Sequence, residues 1–120
     1  VADRIDARRL MTDLYSAVPS NDTAQIIIED VWVMPKQGSV SSAGFMRATG
    51  AIEAVASLMY PVTMVRPQAW KKHFGLIGEA KSGDLSLARV MWPTAPLKLV
   101  KHHGRADALL LAQWGLDTLA

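Results

Sequence analysis

The chain has 120 residues, half of them hydrophobic, and no cysteine. That size and content bound it to one ordinary globular domain, 1–120, with no room for a second. The missing cysteines exclude disulfides, thiolate zinc sites and cysteine nucleophiles. No apolar run approaches the roughly 18 residues that span a bilayer, and no basic segment followed by an apolar signal core opens the chain, so no membrane partner is expected.

Asp6 is placed to cap a short amphipathic helix carrying Ala7, Leu10, Met11, Leu14 and Tyr15 at helical spacing, stopped by Pro19. After the polar turn Ser20 to Thr23, Gln25 to Val33 reads as a strand rich in β-branched residues, apolar on both faces and therefore central in a sheet. Met34 to Ser42 reads as a loop at the end of that strand, a common place for ligands in layered α/β folds. Ser42 to Met59 predicts a helix with Phe45, Ala48, Ile52, Val55 and Met59 on one stripe, and Gly50 inside it implies a close helix contact.

Pro61 ends that helix and Val62 to Val65 forms a second strand, leading through Arg66 and Pro67 into Gln68 to Phe74. Asp84 to Met91 predicts a helix capped by Ser82 or Asp84, Lys98 to His103 a basic linker, and Ala106 to Leu119 the last helix. Strands alternating with helices argue for an α/β layered domain. Two strands are too few for a stable sheet carrying helices, so further strands are expected before Val1.

Two acids stand out chemically. Glu29 lies inside the apolar run QIIIEDVWV, where burying a carboxylate costs several kcal/mol unless something pairs with it. By strand alternation Asp30 faces the opposite way, leaving Glu29 as the site residue. Asp107 opens the apolar stretch ADALLLA, where the helix dipole alone would favour an acid. If both reach one site, its natural occupant is a hard divalent cation, Mg²⁺ or Mn²⁺. Basic residues gather at Arg4, Arg8 and Arg9, at Arg66, Lys71, Lys72 and His73, and at Lys98, Lys101, His102, His103 and Arg105, within a net charge of only +2 and a pI near 9.2. Such clusters suit phosphate backbones, although small basic clusters are also common as solvated faces.

Other chemistries find no support. His73, His102 and His103 match no common zinc spacing. No G-x-S-x-G elbow surrounds Ser41 or Ser42, and the absence of Walker A and G-x-G-x-x-G strings argues against a small organic cofactor. Trp32, Trp70, Trp92 and Trp114 read as packing residues.

The string from Ile28 to Leu76, followed by Lys81, by Ala88, Arg89 and Pro93, and by HGRADALLLA from His103 to Ala112, resembles the RuvC-like Holliday junction resolvases, particularly their shorter phage and bacterial members. The resemblance implies a ribonuclease-H-like fold: a mixed sheet with helices on both faces, whose first strands lie outside this chain. It implies a Mg²⁺-dependent endonuclease cutting branched DNA as a homodimer in the cytoplasm of a bacterial or phage-infected cell, by two-metal hydrolysis. On it, Glu29 matches the glutamate at the end of the fourth strand, Asp107 the aspartate of the last helix, and His103 a third metal position. Lys71, Lys72, Lys81 and Arg47 would meet phosphate, with Gln37, Ser41 and Ser42 approaching the DNA from their loop. The first-strand aspartate has no counterpart, so the chain alone is expected to be inactive. The alternative is a pseudonuclease that binds nucleic acid without cutting it.

Overall fold

The computed structural model describes residues 4–19, 23–31 and 38–119, the side chains of Ser39 and Lys81 excepted. These residues form five α-helices, a short 3-10 turn and a small parallel two-stranded sheet, and they divide into two compact units, Val1–Met64 and Val65–Ala120.

In the first unit, helix α1 (Ala7–Ala17) starts where Asp6 Oδ1 accepts the Arg9 N–H at 3.0 Å. This satisfies one of the donors that a helix N-terminus leaves open. α1 packs on the long helix α2 (Ser39–Met59). Strand β1 (Ile26–Glu29) pairs with β2 (Val62–Val65), and the Ile26 N–H reaches the Pro61 carbonyl at 2.9 Å. β1 is shorter than expected because its partner offers only four residues. Gln25, Asp30 and Val31 fall outside it, and residues 32–33 lie outside the described set. Asp30 therefore has no strand alternation to set it against Glu29, and both side chains are half-buried.

α2 begins three residues before the expected Ser42. Gly38 is its extended N-cap residue, and the Ser42 N–H already bonds to the Gly38 carbonyl at 2.9 Å. Ser41 and Ser42 thus stand in the first turn of a helix, a position serine favours, rather than in a loop. Gly50 is exposed, and a Cβ built there meets nothing within 4 Å, so no close helix contact explains it.

The second unit contains three helices. The segment that follows Arg66 is a helix, α3 (Pro67–His73), with proline at its first position and glycine just past its end, the usual asymmetry of helix termini. Gly75 adopts φ of 70°, its N–H bonding to the Lys72 carbonyl and the next N–H, from buried Leu76, to the Lys71 carbonyl. Together these bonds form the Schellman closure. α4 (Lys81–Met91) begins at Lys81, so Ser82 and Asp84 lie inside it and neither caps it. Its solvent-shielded face joins α5 (His103–Thr118) through Leu85, Ala88, Leu97 and Ala106, with Trp92, Ala95 and Leu109 packed against them. Trp70 is wholly buried, as its reading as a packing residue requires. Asp84 is the one charged side chain in the core among the described residues.

The expected basic linker is structured. The 3-10 turn Val100–His102 runs directly into α5, where the helix starts three residues before Ala106. The His102 ring explains the early start: its Nδ1 accepts the Leu99 N–H at 3.1 Å and closes the turn that leads into the helix.

Candidate functional site

Glu29 is the last residue of β1, half-buried, in the first unit. Asp107 does not open its helix; it stands one turn into α5, in the second unit. That shift has a chemical consequence. His103 is now the first helical residue, and His103 and Asp107 are four apart on one helix, which puts them on the same face with Cβ atoms about 5–6 Å apart. His103 is exposed, while Asp107 is half-buried with its Oδ1 shut off from solvent. An exposed imidazole beside a partly desolvated carboxyl group offers one nitrogen and one oxygen donor to a shared ligand.

Among the described residues, no group of three or more histidines, aspartates or glutamates is placed to hold a metal ion. His103 and Asp107 supply two donors. The described side chains do not complete a divalent-cation centre.

The expected phosphate contacts fall in both units. Arg47 and Ser41 are exposed on α2 and Ser42 is half-buried there. Lys71 and Lys72 occupy the last turn of α3, where cations also offset the helix dipole. Lys72 is exposed, whereas the Lys71 ammonium lies 5.6 Å from the centre of the buried Trp70 ring. Gln37 and the Lys81 side chain lie outside the described residues.

The three histidines do different work. The His73 Nε2 meets Asp117 Oδ2 at 2.8 Å, and the Gln113 amide donates to the other Asp117 oxygen at 2.7 Å. The hydrogen bond from His73 and then that from Gln113 hold the Asp117 carboxyl below its ordinary value. His102 is held below the ordinary imidazole value by burial, and further by Arg105, Lys101 and Arg89 around it. It remains a neutral acceptor for Leu99. Only His103 faces outward without such an engagement among the described residues.

One cluster was missed as a site. The Arg89 Nε and Nη2 donate to the Leu97 and Lys98 carbonyls at 2.7 and 3.1 Å, and the Arg105 Nη1 donates to the Pro96 carbonyl at 3.1 Å. Two guanidiniums, one from α4 and one from α5, therefore fix the segment between these helices. Of the two, only Arg105 stood in a basic cluster of the sequence, and charge counting does not reveal that arginines can act by holding a loop.

No family model matches the chain. An 88-residue stretch, 70% of the chain, is 33% identical to the protein named Holliday junction resolvase MOC1, chloroplastic, of Chlamydomonas reinhardtii. The chain spans about a tenth of that protein's length. This likeness supports a resolvase-like relationship, and the mixed α/β architecture is compatible with an α/β nuclease.

Proposed function

We propose that the chain belongs to a structure-selective DNA endonuclease that cleaves branched DNA, of the RuvC-like resolvase type and the shorter phage or bacterial kind. The 33% identity over 88 residues to a protein named as a junction resolvase carries this reading. On it, the two units are parts of one ribonuclease-H-like nuclease domain, 1–120, acting as a cytoplasmic homodimer with Mg²⁺, or Mn²⁺, as its cofactor. Glu29, Asp107 and His103 are the site residues. An acid at the end of a strand and an acid with a histidine on one helix face provide hard oxygen donors and a group able to carry a proton near neutral pH. Arg47, Lys71, Lys72 and Lys81 hold phosphate, with Gln37, Ser41 and Ser42 nearer the scissile strand.

The test is cleavage of a labelled four-way junction by the full-length natural protein, with Mg²⁺, beside its Glu29→Gln and Asp107→Asn variants. Each variant should lose cleavage by more than the roughly 10- to 100-fold that follows loss of an outer-shell partner. Junction affinity should be retained. Full cleavage by Glu29→Gln would remove Glu29 from the site.

A second reading, a pseudonuclease that binds branched DNA without cutting it, draws on one observation. No group of three potential metal ligands occurs among the described residues. Junction binding with no cleavage under any divalent cation would favour it.

A further inference from the structure

At the end of α4 and along the segment that follows it, the second unit carries a cavity of about 580 Å³ lined by Arg89, Trp92, Pro93, Ala95, Pro96 and Lys98, among others. Its size falls within the range of small-ligand clefts. The walls are largely apolar. Trp92 is half-buried: it packs against the core formed by Leu85, Ala88, Leu97 and Ala106 while also lining the cavity. Pro93 and Pro96 add rigid apolar surface that loses little entropy when covered.

The charged residues that line this cavity, Arg89 and Lys98, are both basic. From Leu85 to Ala106 the sequence contains no aspartate or glutamate, yet it holds Arg89, Lys98, Lys101 and Arg105. Arg89 and Lys98 line the cavity itself, and both are exposed. The segment is also held in place, since Arg89 and Arg105 bond to three consecutive carbonyls, those of Pro96, Leu97 and Lys98. A preformed apolar cleft with an indole in its wall and cations at its edge matches a flat heteroaromatic ring joined to an anion. Bases stack on such side chains whatever their sequence, and the phosphate follows the cations.

We propose that this cleft receives one unpaired nucleotide of a DNA strand, its base against Trp92 and the proline walls and its phosphate toward Lys98 and Arg89. The proposal rests on the nucleic-acid reading above and adds to it a contact that paired DNA cannot make. It concerns neither Glu29, Asp107 nor His103.

The experiment uses the whole chain and four-way junctions carrying a single iododeoxyuridine, either unpaired at the branch or paired within an arm. Irradiation joins that base to an aromatic side chain in contact with it, and trypsin then releases the cross-linked peptide for mass spectrometry. Cleavage after Arg89 and Lys98 isolates residues 90–98, which contain Trp92 and no other aromatic residue. The expected result is a cross-link on peptide 90–98 from the unpaired base and none there from the paired one. Trp92→Leu, which keeps an apolar side chain against the core, should weaken binding of the unpaired-base junction about tenfold and leave duplex binding unchanged. Cross-links confined to other peptides, or equal yield from paired and unpaired bases, would overturn the cleft as the binding place while leaving DNA binding intact. No binding to any DNA would overturn both this proposal and the reading on which it rests.

Discussion

The two units bury their apolar residues to different depths. In the second, Val65, Trp70, Leu76, Leu85, Ala88, Leu97, Ala106, Leu110 and Leu111 are withdrawn from solvent, whereas in the first Ala56 is the one buried hydrophobic residue among those described. Both units expose some large apolar residues, Val40 and Leu58 in the first at 84% and 87% and Val100 and Leu116 in the second at 82% and 78%, so the difference lies in what is buried. Glu29 thus stands on a lightly packed frame, and Asp107 and His103 stand on a helix anchored by Ala106, Leu110 and Leu111. A site holds its geometry best when rigid packing locks the elements that carry it. The pair His103 and Asp107 on α5 is therefore better preorganised than Glu29.

The contrast can be broken by stability measurements. Leu110→Ala should cost about 2–5 kcal/mol in denaturant unfolding, because a fully buried leucine leaves a cavity in a closed core. Leu58→Ala should stay within about 0.5 kcal/mol, as exposed substitutions do. A large loss at Leu58 would show that the exposed face of α2 is covered in solution.

Two glycines sharpen the comparison at a smaller scale. Gly75→Ala in the second unit should cost about 1–2 kcal/mol, since its φ of 70° is strained for a residue with a Cβ. Gly50→Ala in the first should stabilise by up to about 1 kcal/mol, because open space surrounds the new methyl group and alanine favours the helix. The difference in sign is measurable by thermal melting.

The smallest effect concerns Asp117 and acid. Its folded-state carboxyl is held below the ordinary 3.8 by His73 first and Gln113 second. The unfolded chain therefore binds more protons in that range, so the contribution is present above about pH 3.8 and lost as pH falls through the lower folded value. Asp117→Asn should lower stability slightly in the neutral region, flatten the acid limb, and leave stability below the folded value nearly unchanged. An unaltered acid limb would mean that the contact with His73 is not kept in solution.

Much of this architecture was legible because local signals were strong. The Asp6 cap, the stop at Pro61 and the strand Val62–Val65 follow from residues whose conformational preferences leave few choices. Boundaries without such punctuation moved. α2, α4 and α5 each begin about one turn earlier than their apolar periodicity suggests, since Ser39, Lys81 and His103 are polar and do not register in an apolar pattern. The site was legible as residue types and only partly as geometry. Placing His103 and Asp107 on one face depended on where α5 starts, and the 3-10 turn closed by His102 sets that start. The arginine-held segment before α5 was invisible to pattern reading, because side chain to carbonyl bonds leave no periodic mark.

The central claim is that this protein prefers branched DNA, and the most direct measurement compares its affinity for an immobile four-way junction with that for a linear duplex of the same arm sequence. At moderate salt with Ca²⁺ or no divalent cation, the account predicts at least about tenfold tighter binding to the junction, a difference of roughly 1.4 kcal/mol. Equal affinity for the two, with the same salt dependence, would reduce the basic clusters to a general attraction for phosphate and contradict the claim.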